Sequence, residues 1–84
     1  MLVRHGVRLS PVLADLFDLV ERTGHDGIAV ETLIGVLYPG KPSAAARKCI
    51  HVNVSHLNLR LAETDLEIRA GRYEPYRIQH RRSP

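Results

Sequence analysis

Aromatic residues are scarce in this chain: three tyrosines, one phenylalanine and no tryptophan in 84 residues. Such a composition gives little material for the aromatic platforms that stack unpaired bases, so recognition of single-stranded RNA is the weakest of the binding functions considered. A single cysteine, Cys49, excludes an intramolecular disulfide framework and any cysteine-based zinc cluster. Flanked by Lys48 and Ile50, it reads as a small, partly buried filler and not a reactive thiol. Long apolar runs are missing too. Ile28 to Leu37 is interrupted by Glu31, and Ile50 to Leu61 by His51, Asn53, Ser55 and Asn58, so nothing approaches the roughly 20 residues needed to cross a bilayer. The N-terminus has neither the apolar core nor the cleavage site of a secretory signal, and a cytoplasmic, nucleoid-associated location is expected.

Catalytic signatures are equally sparse. There is no glycine-rich phosphate loop, no pair of catalytic carboxylates and no nucleophile elbow, so neither enzymatic activity nor a cofactor is expected. His51 and His56 are five positions apart and do not share a helix face as an i, i+4 zinc pair would, so no metal is expected either. A chain of this length buries only about 60 to 65% of the surface its unfolded form exposes. One compact domain rich in local structure is the expectation, without a deep cleft.

What is present is asymmetric charge. The formal net charge is +3, but residues 1–40 carry three arginines against five carboxylates, whereas residues 41–84 carry nine cations against four. A cationic second half suits a polyanionic partner contacted by one face.

The apolar pattern divides the chain into short elements. Val3, Val7 and Leu9 around Gly6 suggest a short hairpin or edge strand. Ser10 followed by Pro11 marks a helix start, because the hydroxyl accepts from an orphan amide and proline at the first position forfeits no hydrogen bond. Leu13, Leu16, Phe17 and Val20 then form one stripe, and Gly24 suits a left-handed cap. After a turn at His25–Gly27, Val30, Leu33, Ile34 and Leu37 predict a second helix to about Tyr38, stopped by Pro39, Gly40 and Pro42. Ser43 is the expected N-cap of a third and longest helix, whose Ala46, Ile50, Val54 (or Asn53), Leu57 and Leu61 make the apolar side. Leu66, Ile68 and Ala70 alternate as a strand would, Gly71 and Arg72 turn, and Tyr73, Tyr76 and Ile78 return, with Pro75 at an edge. Residues 79–84 are expected to be a flexible basic tail. The predicted class is α+β: a winged helix-turn-helix domain over residues 1–78, with three helices, a C-terminal hairpin at 66–78 and a short N-terminal strand region.

From Val3 to Ile78 the chain resembles the DNA-binding effector domain of OmpR/PhoB-type response regulators. Leu9-Ser10-Pro11 is similar to the family's start of its first helix, and Ile50-His51-Val52-Asn53-Val54-Ser55-His56-Leu57, closed by Leu61, to its recognition helix. Gly71 to Ile78 resembles the wing and last strand. Leu13 stands where the family usually has glutamate, Asn58 where it usually has arginine, and Tyr73-Glu74-Pro75-Tyr76 replaces a shorter glycine-tyrosine corner. No phosphoacceptor receiver accompanies the resemblance, so it is to a free-standing effector domain.

The resemblance implies a transcriptional regulator that places helix 43–62 in the major groove of double-stranded DNA. His51, Val52, Ser55 and His56 would face bases, and Arg47, Lys48, Asn53, Asn58 and Arg60 would lie at or near phosphates. The chemistry suits these roles: valine can meet a thymine methyl, serine and histidine can donate or accept, and lysine or arginine neutralises phosphate. Arg69, Arg72 and Arg77 would serve the wing, where a guanidinium can enter a narrow minor groove, although alternating arginines also solubilise an exposed ribbon. One small module buries only about 600 to 1,000 Å² on DNA, so a homodimer, tandem sites or contact with RNA polymerase is expected to add specificity. The rival reading is a protein-interaction module, an adaptor or inhibitor of transcription machinery, using the same helix.

Overall fold

The computed structural model describes residues 2–70 and 74–81, which form three α-helices and two two-stranded antiparallel sheets, an α+β arrangement. Strands β1 (Leu2–Arg4) and β2 (Val7–Leu9) are joined through His5 and Gly6, both at positive φ (51° and 78°), the backbone that a two-residue hairpin turn requires. Leu2 pairs with Leu9 and Arg4 with Val7; only β2 sends its alternate side chains, Val7 and Leu9, into the core.

Helix α1 (Pro11–Arg22) begins as its sequence predicts, with Ser10 Oγ accepting from the Leu13 amide at 3.4 Å. It buries Leu13, Ala14, Leu16, Phe17 and Val20. At its end the Thr23 hydroxyl donates to Val20 O at 2.8 Å, and Gly24 follows at φ +58°. A 3-10 turn, Gly24–Asp26, leads to Gly27, whose φ of +76° is one reason for glycine there. The other is proximity: a Cβ at this position would lie 2.8 Å from Tyr76 O. That closeness lets Ile28 form a single antiparallel bridge to Tyr76, with N···O distances of 2.8 and 2.9 Å, and so tethers this loop to the C-terminal strand.

Helix α2 (Val30–Leu37) buries Leu33, and α3 (Ser43–Leu61) buries Ala46, Ile50, Val54, Leu57 and Leu61. Val54, not Asn53, therefore occupies the apolar stripe. Ser43 is the first helical residue and not its cap; Pro42 holds the cap position and offers no side-chain hydrogen bond. α3 packs against α1, α2, β2 and β3. Its Ile50, Leu57 and Leu61 are fully buried in one core with Leu9, Leu16, Phe17, Val20 and Leu33. Among the described residues, no helix is long and apolar enough to cross a membrane.

Strands β3 (Leu66–Arg69) and β4 (Arg77–His80) pair with Leu66 opposite His80 and Arg69 opposite Arg77. The expected flexible tail is corrected here. Gln79 and His80 belong to β4, and Arg81 is anchored by its amide to Asp65 O and by its guanidinium to Leu66 O at 3.0 Å and Leu61 O at 3.4 Å. Arg81 thereby satisfies carbonyls at the C-terminal end of α3, where a cation also complements the helix dipole. Residues 82–84, the expected turn at Gly71 and Arg72, and Tyr73 of the expected returning strand lie outside the described residues. Ala70 falls just beyond β3.

Candidate nucleic-acid interface

With five buried positions on one side of α3, the 100° step per residue places Lys48, Val52, Ser55 and Leu59 on the opposite side, and all four are exposed. The helix from Ser43 to Leu61 contains three cations, Arg47, Lys48 and Arg60, and no aspartate or glutamate. Its outward row therefore carries one cation, Lys48, one hydroxyl, Ser55, and two apolar positions, Val52 at 41% exposure and Leu59 at 74%, with Arg47 and Arg60 on its flanks.

One flank of this face borders an open groove of about 1480 Å³. α3 forms one wall through Arg47, Lys48, His51 and Ser55, β3 forms the other through Glu67 and Arg69, and the loop before α2 closes one end. Ligand pockets that enclose small molecules run about 300 to 1,000 Å³, so this wider trough suits a macromolecular edge better than an enclosed metabolite. Its charges are partly compensated: Arg47 Nη2 lies 3.3 Å from Glu31 Oε2, and Arg69 Nη1 lies 3.5 Å from Glu67 Oε1. Lys48 and Arg60 enter no ion pair with the described residues.

The predicted contact residues do not all converge. His51, Ser55, Arg47 and Lys48 share the groove, with Val52 beside them on the outward face. His56 and Arg60 instead line a smaller depression with Ser10, Leu13 and Leu59, toward the start of α1. Two residues expected at or near phosphates make hydrogen bonds within the fold. Asn53 Nδ2 donates to the Tyr38 hydroxyl, fastening α3 to the end of α2. Asn58, half-buried where it lines the groove, pairs with Ile68, its Oδ1 accepting from Ile68 N at 2.8 Å and its Nδ2 donating to Ile68 O at 3.0 Å. An amide that matches a peptide unit in this way replaces a neighbouring strand, and it stands where the resembled family usually has arginine. With Thr64 Oγ1 accepting from Leu66 N at 3.0 Å and Arg81 donating to Leu66 O, the outer edge of β3 is satisfied by side chains.

In the hairpin, Arg69 is exposed and Arg77 half-buried, while Arg72 lies outside the described residues. Sequence reasoning missed Leu59 and Arg81. Leu59 is seven positions from Val52 and falls off the buried stripe, a signal available from the helical period. Arg81 carries no comparable signal, because its partners are backbone carbonyls brought together only by the fold.

The resolved titration shifts lie away from this face. Arg4 donates to Asp18 through Nε at 2.8 Å and Nη2 at 2.9 Å, holding that carboxyl below its ordinary range and raising the guanidinium. A hydrogen bond with His80 Nδ1 at 2.9 Å similarly lowers Asp65. Among the described residues, no group of three or more His, Cys, Asp or Glu side chains is placed to hold a metal ion. Comparison of the chain with family models, with curated proteins and with solved structures found no match.

Proposed function

We propose that the protein is a sequence-specific double-stranded DNA-binding transcriptional regulator of winged helix-turn-helix type. In this reading α3 enters the major groove, and the β3–β4 hairpin is the wing. The observation that carries the reading is the outward face of α3, a 19-residue helix without a carboxylate, rising beside an arginine-bearing hairpin. His51, Val52 and Ser55 read base edges; Lys48, Arg47 and Arg60 meet phosphates, with His56 beside Arg60 at the other rim. Asn53 and Asn58 hold the helix in place. One module contributes limited specificity, so paired sites, a homodimer or a contact with RNA polymerase completes it, in the cytoplasm at the nucleoid.

A second reading is favoured by one observation. Leu59 and Val52 expose apolar surface in the middle of the cationic face, which suits a protein-interaction module that holds part of the transcription machinery.

Fluorescence-anisotropy titration of random duplex and of a genomic-fragment pool, at two salt concentrations and with sequencing of the bound fraction, separates the two. Engagement of four or five phosphates gives a log–log salt slope of about −3.5 to −4.5 together with an enriched motif. No binding to either pool at low salt overturns the DNA reading and moves the assignment to the protein-interaction module.

A further inference from the structure

The register of the C-terminal hairpin places Arg69 directly opposite Arg77. Like charges in directly opposed positions destabilise a strand pair, because the side chains project from the same face. The local carboxylates relieve this pair only in part. Glu67 is shared, 3.5 Å from Arg69 Nη1 and 3.9 Å from Arg81 Nε, and Glu74 lines the same depression without an ion pair to either guanidinium among the described residues. A second observation points the same way: Arg77 Nε is buried and has no acceptor among the described residues. A buried donor ordinarily has a partner, and an N–H on a cation seeks an anionic one. Arg69, Ala70, Glu74, Arg77 and Gln79 line a small depression of about 200 Å³ at this pair, space for one tetrahedral oxyanion held by two guanidinium groups against one carboxylate.

We infer that Arg69 and Arg77 together form a clamp for a single phosphate group, supplied by the nucleic-acid backbone. The inference rests on the DNA-binding reading above and deepens it: the two arginines hold one phosphate jointly, where the sequence alone suggests separate insertions into a minor groove. Their location supports the source. Arg69 lines both this depression and the large groove beside Lys48, His51 and Ser55, so a phosphate in the clamp continues the surface that α3 presents. Guanidinium forks match phosphate oxygens in pairs, which a lysine cannot reproduce.

The salt dependence of duplex binding by the full chain tests the sharing. Arg69→Gln, Arg77→Gln and the double variant, each first confirmed to be folded by its thermal transition, are titrated against random duplex over a range of salt. Loss of one jointly held phosphate lowers the slope by about 0.9 in each single variant, and by the same amount in the double variant. Arg77→Lys, which keeps the charge but lacks the fork, is expected to weaken binding as well. Two independent contacts predict a fall of about 1.8 in the double variant, and that additive result overturns the clamp while leaving the DNA reading intact. If the wild-type chain binds no duplex at low salt, the DNA reading and the backbone as source both fail. The Arg77 Nε–H resonance during titration with inorganic phosphate then judges the pair by itself. A shift abolished by Arg69→Gln supports a shared oxyanion site, and an unmoved resonance overturns it.

Discussion

Helices α1 and α3 each bury one apolar stripe, yet they dispose of their outward faces in opposite ways. α1 is acidic outside, and the protein itself answers two of its three carboxylates: Arg4 forks onto Asp18, and His5 Nε2 lies 3.0 Å from Glu21 Oε2 with its ring edge-on to Phe17. Its start is capped by Ser10, so hydrogen bonding and charge are largely closed within the chain. α3 is cationic outside, has no side-chain cap, and spends its amide side chains on Tyr38 and Ile68 while Lys48 and Arg60 face outward. The contrast separates two uses of polar residues. On α1 they fasten the N-terminal hairpin to the core, whereas on α3 the flanks fasten the helix and the outward row makes no side-chain hydrogen bond or ion pair among the described residues.

The largest effects should come from the stripes the two helices share. Phe17→Ala in α1 and Leu57→Ala in α3 remove fully buried side chains, at costs of about 3–5 and 2–5 kcal/mol respectively. In a domain this small either loss is a large share of the total stability, and urea denaturation followed by circular dichroism reads both. A folded, undiminished Leu57→Ala variant would mean that α3 is not central to the core, and the comparison would collapse.

Next come the substitutions that loosen the hairpin. Asn58→Ala strands the Ile68 N–H and C=O together, at about 1–3 kcal/mol, and leaves the salt slope of any duplex binding unchanged. A reduced slope in a fully stable variant would instead return Asn58 to the phosphates. Gly27→Ala combines a positive φ with a Cβ forced against Tyr76 O, and is expected to cost more than about 1 kcal/mol. Strengthened proteolytic protection around Ile28 in that variant would contradict the close approach.

These two sites show what the sequence could and could not carry. The helical stripes of α1 and α3, the Ser10 start and the Gly24 stop were legible because they depend on neighbours three or four positions away. Asn58 looked like a solvent-facing polar residue because its partner, Ile68, is ten positions on and meets it only after α3 and β3 pack. The same holds for Arg81 against Leu61 and Leu66, which converts an apparent basic tail into an anchored strand end. Ser43 failed as a cap for a different reason: Pro42 already fixes the preceding backbone at φ −54° and ψ 139°, and the helix starts one residue earlier than the serine rule implies. On α3, periodicity separated the buried stripe from an outward side but did not single out Leu59 or assign the flanks, since which flank meets the hairpin and which meets α1 is a tertiary property.

A smaller effect sharpens the acidic side of the comparison. Arg4 depresses the Asp18 carboxyl below its ordinary value of 3.8, so the pair contributes stability that is fully present above that pH and is lost as pH falls through the lower folded-state value. Asp18→Asn should therefore be less stable than wild type at neutral pH, with the difference closing in acid. Both side chains are about a third exposed, which keeps the effect modest and salt-sensitive. A stability gap that stays constant down to pH 2 would show that Arg4 gains nothing from the charge of Asp18.

The smallest expected effect on stability is also the one that most directly opposes the two faces. Lys48 is exposed and enters no ion pair with the described residues, so Lys48→Ala should leave the unfolding free energy within about 0.5 kcal/mol of wild type. Alanine even suits the helix interior slightly better. On duplex DNA the same change should lower affinity for all sequences alike and reduce the salt slope by about 0.9, because one phosphate loses its counter-charge. Ser55→Ala differs in kind, relaxing the base preference while the slope holds. If Lys48→Ala binds every duplex as wild type does, the outward row of α3 does not face phosphate. Its exposed Leu59 and Val52 then become the better guide to the partner.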